Sequence, residues 1–331
     1  MKIAIVGAGA IGCFFAARLA EAGCDVGMLA RGDALAAVER HGVRLESEGR
    51  HIARPVRASA SAAELGVHDL VITCVKAPAL PRAAQAIGPL IGADTAVVPA
   101  LNGMPWWFFL DSPGLLSGHR LVSVDPEGVL ERSVPIARVV GCVVYPACTG
   151  LEPGYVRHTG GNRIVLGEPG GEASARSRAL AEMFCKAGLV GEATSDVRKE
   201  VWAKLLGNMC FNPVSLLTGS STDRLIDDPR VYALFVAMMD EAIALGHKLG
   251  IDAGIEPRPR IASTRKIGYV KTSMLQDAEA GRPVEIEGIL GTLVEVAHAA
   301  GVPAPLADAV YAMSRMRAEV MNLLPNLPPP A

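Results

Sequence analysis

One stretch in the second half of the chain carries polar groups where an apolar helix would not keep them without use. It reads Val201-Trp202-Ala203-Lys204-Leu205-Leu206-Gly207-Asn208-Met209-Cys210-Phe211-Asn212-Pro213. Lys204, Asn208 and Asn212 recur at i, i+4 and i+8, so a helix presents all three on one face. A cation and two carboxamides buried among large apolar groups need a polar ligand or hydrogen bonds to another helix. The ligand-facing reading is the stronger, because the remaining faces are too apolar for the polar one to be simply solvated.

At the other end of the chain, Gly7-Ala8-Gly9-Ala10-Ile11-Gly12 is a G-x-G-x-x-G turn. The first glycine permits a tight turn, the second lets the backbone approach a pyrophosphate, and the third lets helix and strand pack closely. The helix that follows offers free N–H groups and a positive dipole end to phosphate. The motif alone is weak evidence, but here it follows a β-branched run and opens a helical pattern, which is its confirming context. At the end of the second strand, where an acid would hold a ribose 2′-hydroxyl, the chain has Leu29-Ala30-Arg31-Gly32. Arg31 suits a 2′-phosphate, and so NADPH. The alternative is a solvated loop arginine with Asp33 taking the ribose.

Three further groups stand at places where ligands gather. Lys76 and Asn102-Gly103 follow the apolar runs at 69–75 and 95–99, at strand ends; Asn-Gly is also simply a good turn. Ser273-Met274-Leu275-Gln276-Asp277 precedes Glu285, which opens a helix over 284–300. By position alone Glu285 is a carboxylate favoured by the helix dipole.

The elements that must position these groups follow from periodicity. Residues 2–6, a helix to Gly23 and the run CDVGMLA form a strand–turn–helix–strand unit, which starts a parallel sheet. Strands follow at 69–75 and 95–99, with helical stretches near 60–66 and 80–90. Strands at 138–147, 154–158 and 163–167 with short turns are expected to complete the sheet in antiparallel fashion. From about 175 the pattern is helical, at 174–188, 196–218, 229–250, 259–267, 284–300 and 305–322. The expected fold is an N-terminal α/β domain over 1–180 and an all-α domain over 181–325, with the boundary between 175 and 195. The closing NLLPNLPPPA carries too much proline for regular helix.

The 331 residues suit two domains. A net charge of −2 without a Lys/Arg cluster gives no footprint for nucleic acid or an anionic membrane. No run reaches the length of a membrane span, and the early glycines make residues 2–6 a strand and not a secretory leader. The seven cysteines lack metal-ligand spacing, so no metal site is expected, and their scatter suits reduced thiols in a cytoplasmic protein. Pro105-Trp106-Trp107-Phe108-Phe109 is an aromatic cluster read first as packing, with a subunit contact or a lid as alternatives. Such a patch permits a homodimer without requiring one.

In order along the chain, GAGAIG, LARG, CVKA with Lys76, LNG with Asn102, W-x-K-L-x-x-N-x-x-x-N-P, SMLQD and Glu285 resemble the ketopantoate reductase family, from Met1 to about Arg317. The resemblance implies a Rossmann-type domain joined to a helical one, with the active site in the cleft between them. It implies NADPH-dependent reduction of 2-dehydropantoate to (R)-pantoate, on the way to pantothenate and coenzyme A. Lys204 then corresponds to the catalytic lysine and Glu285 to the acid near the substrate hydroxyls, a role beyond the helix start. Asn208, Asn212 and Ser273 correspond to substrate-binding positions, and Asn102 to a residue bridging cofactor and substrate. Arg31 and Lys76 correspond to basic residues on the cofactor, beside Gly7, Ala8, Gly9, Ala10, Ile11 and Gly12. A related NADPH-dependent reductase of another small 2-keto acid is the alternative within the class, and a non-catalytic NADP(H)-binding module the alternative outside it. Dehydrogenases of the 6-phosphogluconate or 3-hydroxyacyl type share the two-domain plan but do not predict the Lys204-Asn208-Asn212 helix.

Overall fold

A computed structural model describes residues 1–324; the proline-rich tail beyond them lies outside the described residues. The chain divides into two units, one of Met1–Leu101 with Gly128–Val197, the other of Asn102–Glu127 with Arg198 onward.

The first unit is built on β1 (Lys2–Val6), α1 (Ala10–Glu21) and β2 (Asp25–Leu29). After α2 (Gly32–His41) come three strands, β3 (Val43–Ser47), β4 (Arg50–Arg54) and β5 (Arg57–Ser59). Then α3 (Ala62–Leu65), β6 (His68–Thr73), α4 (Leu80–Ala86) and β7 (Ile91–Pro99) complete the first stretch. The central sheet has the order β5-β2-β1-β6-β7, with every pair parallel. Its middle strands are apolar on both faces, as burial under helices on each side demands; Ile3 and Ile5 are wholly buried. The chain leaves β1 for β2 on one side and returns for β6 on the other. That reversal opens a crevice beyond the carboxyl ends of β1 and β6, where ligands bind in sheets of this type.

After α5 (Val129–Ser133), the strands β8 (Gly141–Val144), β9 (Ala147–Glu152), β10 (Tyr155–Gly160) and β11 (Arg163–Gly167) do not complete that sheet. They build two smaller ones, β4-β3-β10-β9 and, with β12 (Val190–Ala193) after α6 (Ala175–Lys186), β12-β11-β8. A single bridge, Val97 to Val139, continues from the central sheet. The β3–β4 hairpin turns at Glu48 and Gly49, both with positive φ, which suits the right-handed twist of a tight hairpin. Phe14, Phe15 and Leu19 of α1 share one core with Ile5, Leu45, Val156 and Phe184.

The second unit is helical: α7 (Val197–Thr218), α8 (Thr222–Asp227), α9 (Pro229–Lys248), α10 (Pro257–Arg265) and α11 (Ser273–Glu279). A π-helical turn at Glu287–Gly291 then runs into α12 (Thr292–Ala300), and α13 (Pro305–Val320) follows. Residues 102–127, expected in the first domain, are grouped with these helices. Their aromatic side chains explain it. Trp106, Trp107, Phe108 and Phe109 are all buried, and the Phe108 ring lies 6.2 Å from that of Trp202 on α7. Backbone N–H groups of Val122 and Ser123 donate to the Glu295 carboxylate of α12, at 2.7 and 2.8 Å. The aromatic cluster is therefore core packing. In the other direction, residues 181–197, expected in the helical domain, belong to the first unit, because β12 pairs with β11.

Candidate functional site

Each glycine of the N-terminal turn has its own physical cause. Gly7 has φ +104°, and a Cβ there would stand 2.7 Å from Val75 Cγ1. A Cβ on Gly12 would overlap the carbonyl oxygen of Gly7. Gly9 differs. Its φ of −77° suits any residue, and the nearest atom to a Cβ would be the Cys74 oxygen, 4.0 Å away. Among the described residues nothing requires a glycine at that point, whereas the close approach of a pyrophosphate does. No side chain caps α1 at Gly9, so the first-turn N–H groups and the positive end of the helix are left for an anion. The turn is held from both sides: Gly7 N–H donates to Leu29 O at 3.0 Å and Cys74 N–H to Val6 O at 2.8 Å. These residues fit a dinucleotide.

Arg31 follows β2, is exposed, and starts α2 in an extended conformation. Its guanidinium has no hydrogen bond or ion pair among the described residues, which leaves its full charge for a phosphate. Lys76, half-buried, stands just beyond β6, at the crevice. Beneath the turn, burial pushes the Cys13 thiol up to about 12 and the Cys74 thiol well above its usual value. All seven cysteines are free. No group of three or more His, Cys, Asp or Glu able to hold a metal occurs among the described residues.

In the second unit the polar stripe of α7 forms as its spacing requires. Lys204 and Asn208 are half-buried and Asn212 is 5% exposed. Lys204 Nζ donates to Asn102 Oδ1 at 2.8 Å, a contact that no local pattern announces. The carboxamides of Asn208 and Asn212 have no hydrogen bond among the described residues. For Asn212, nine-tenths buried, that is the signature of a group awaiting a ligand. Pro213 lies inside α7 and cannot donate to the carbonyl one turn before it, a local weakening at the end of the stripe.

Asn102 is set by the turn that follows it. Gly103 has φ +82°, and a Cβ there would overlap the Gly288 carbonyl, whose carbon and next nitrogen are also close. The next residue, Met104, donates its N–H to that same Gly288 oxygen at 2.8 Å. Gly288 belongs to the π-turn, and its oxygen also accepts from Thr292 Oγ1 at 2.9 Å. The π-turn is clamped from α13, where Tyr311 and Arg315 both bond the Glu287 carboxylate. Such turns are rare and recur at functional sites. Glu285 stands immediately before this helix, its carbonyl accepting from Ile289 N–H at 3.1 Å. One bracket of backbone contacts thus ties the Asn102 turn to the segment that carries Glu285.

Ser273 is the first residue of α11 and is exposed. Thr272 caps that helix, accepting from Leu275 N–H at 3.2 Å, and its hydroxyl meets Ser215 Oγ at 2.5 Å. Ser215 Oγ in turn bonds the Asn212 carbonyl at 2.8 Å. The start of α11 is therefore pinned to the stripe-bearing helix. The Ser215–Thr272 link and the π-turn clamp were not legible as site features in the sequence. A serine one turn beyond Asn212 was the only sign of the first.

The first unit carries a parallel sheet with a glycine turn fit for a dinucleotide, and the second presents a lysine held by an asparagine; each is a part that a dinucleotide-dependent oxidoreductase needs. Residues 3–171 match the family model for ketopantoate reductase PanE/ApbA, and residues 196–318 that for its C-terminal part. The 2-dehydropantoate 2-reductase of Mesorhizobium japonicum is 46% identical over 316 residues, covering 95% of this chain and 97% of its own. A candidate ketopantoate reductase structure from Ralstonia solanacearum superposes with a TM-score of 0.94 at 45% identity, covering 97% of this chain and 99% of its own. For the 2-dehydropantoate 2-reductase of Geobacter metallireducens the TM-score is 0.84 at 28% identity, with coverage of 96% and 99%. The chain belongs to the ketopantoate reductase family, whose members are NADPH-dependent oxidoreductases acting on a CH–OH group. Among the described residues, no helix is long and apolar enough to cross a membrane.

Proposed function

We propose that this protein reduces 2-dehydropantoate to (R)-pantoate with NADPH. The observation that carries the reading is the lysine of α7 held at 2.8 Å by Asn102, in the same stripe as a buried Asn212 whose carboxamide makes no hydrogen bond among the described residues. Lys204 hydrogen-bonds the ketone oxygen and gives it a proton as the alkoxide forms, so that positive charge meets developing negative charge. Asn102 aims the ammonium and stands at the junction of cofactor and substrate. Glu285 accepts hydrogen bonds from the substrate's hydroxyl, while Asn208, Asn212 and Ser273 satisfy its remaining polar atoms. In the first unit, residues Gly7 to Gly12 cradle the pyrophosphate, Arg31 pairs with the 2′-phosphate, and Lys76 is the second basic contact. The nicotinamide, when bound, supplies the hydride for the carbonyl carbon.

The protein works in the cytoplasm, a reading supported by seven free cysteines. It pairs as a homodimer, supported by Leu306, Met313, Met316 and Val320, exposed along one side of α13. Steady-state oxidation of NADPH with a panel of 2-keto acids tests the reaction. Ketopantoate should give the highest kcat/KM, above the roughly 10⁴ M⁻¹s⁻¹ floor of ordinary enzymes. A higher value for another keto acid would reassign the substrate and keep the chemistry.

A further inference from the structure

Gly207 lies in the middle of α7, three residues after Lys204 and one before Asn208. Glycine inside a helix is less stable than alanine, because its unfolded backbone is freer. Its presence therefore asks for a cause, and the backbone, ordinary helix, supplies none. The cause lies in what a Cβ would meet. The three nearest atoms are Nη2, Cζ and Nε of Arg260 on α10, with Cζ at 3.1 Å and Nε at 3.4 Å. The guanidinium is seated directly on the helix that bears the polar stripe. Its Nη1 donates to Thr264 Oγ1 at 2.9 Å, one turn along α10, and the residue is half-buried.

Side chains three apart on a helix are surface neighbours, with Cβ positions about 5–6 Å apart. A cation at Gly207 is thus one turn from Lys204 on the surface of α7. A 2-keto acid joins a carboxylate directly to its ketone. Recognition therefore needs one group for the ketone oxygen and another, positively charged, for the acid. Of the second-unit residues assigned above to the substrate, Lys204 is the sole cation, and it is committed to the ketone; Glu285 would repel a carboxylate. A guanidinium meets a carboxylate with two parallel hydrogen bonds.

We propose that Arg260, seated on Gly207, anchors the substrate's carboxylate and so selects keto acids over neutral ketones. The assignment rests on the keto-acid reductase reading and adds to it the residue that reads the acid.

The test compares the best keto acid of the wild-type enzyme with its methyl ester, in wild type, R260A, R260K and G207A, all with NADPH. In R260A the KM for the acid rises at least ~30-fold while kcat stays within about 3-fold, as loss of a uniform binding contact requires. The ester's kcat/KM and the KM for NADPH stay at wild-type values, so the preference for acid over ester collapses. R260K restores part of that preference through charge without the fork. G207A, which displaces the guanidinium and leaves the arginine in place, lowers the preference in the same direction. An unchanged KM for the acid in R260A, or equal losses for acid and ester, overturns the proposal. If R260A does not fold by circular dichroism, R260K and G207A are judged by the same acid-to-ester ratio. A wild-type enzyme inert toward every 2-keto acid sinks the reductase reading itself, whereas one that reduces acid and ester equally sinks Arg260 alone.

Discussion

Replacing Gly103 by alanine tests the bracket that sets Asn102. The residue has φ +82°, a conformation alanine resists, and its Cβ would overlap the Gly288 carbonyl. The backbone must shift, and the Met104 N–H···O bond to Gly288, 2.8 Å in the folded chain, opens. An alanine in the left-handed region costs about 1 kcal/mol, and a buried N–H left unpaired costs about 1–3 kcal/mol. The expected loss is therefore ~2–4 kcal/mol. For a unit of this size that is a fall in Tm of roughly 5–15 °C. Asn102 is the neighbouring residue, so the Lys204 Nζ–Asn102 Oδ1 contact is disturbed with it. Among molecules that remain folded, kcat falls by about 10- to 100-fold, with NADPH affinity unchanged. Scanning calorimetry with and without NADPH, followed by steady-state kinetics well below the variant's Tm, measures both. A G103A protein within about 0.5 kcal/mol of wild type and with full kcat would refute the bracket.

Two other perturbations address the cofactor and the frame. R31A should raise the KM for NADPH by about 10- to 100-fold and leave that for NADH nearly unchanged, since the lost contact is to the 2′-phosphate alone; equal effects on both cofactors would return Arg31 to a solvated loop. Glu168 links the end of β11 to α6 through Arg176, at 2.8 and 2.6 Å. Burial pushes its pKa up, but hydrogen bonds from Arg176 and Ser174 outweigh that and hold it below the usual value. A depressed folded-state pKa contributes stability above the unfolded value, about 4.3, and the contribution is lost as pH falls through the folded one. E168Q should therefore lower Tm at pH 7 and narrow its gap to wild type below pH ~4. A gap independent of pH would exclude the linkage.

The legible parts of this molecule are local and the illegible ones are not. Gly7, Gly9 and Gly12 declare themselves because strand, turn and helix are contiguous, and Lys204, Asn208 and Asn212 because helical spacing puts them on one face. The parallel strands β1, β2, β6 and β7 each carry an apolar run and are equally plain. By contrast β3 and β4 mix charged and apolar residues in five-residue pieces, and α8 and α11 have six and seven residues, too short for a period to emerge. The passage of residues 102–127 to the helical unit depends on Trp107 and Phe108 packing near Trp202, a long-range event with no local mark. The same holds for the site. Asn102 and Lys204 are separated by 102 positions, and neither residue's neighbours reveal the other. Gly207 lies within a helical stretch, and only the folded chain shows that the Arg260 guanidinium occupies the space of its missing side chain.

The central claim is that Lys204 supplies the proton for reduction of a keto acid. Stopped-flow single turnover of ketopantoate by NADPH-saturated enzyme, wild type against K204A, measures it with least interference from product release. The reduction rate should fall by about 10²- to 10⁴-fold, the range for loss of a positioned general acid, while the Kd for NADPH, read by fluorescence titration, stays within about 2-fold. A K204A enzyme that reduces ketopantoate at the wild-type rate would contradict the account.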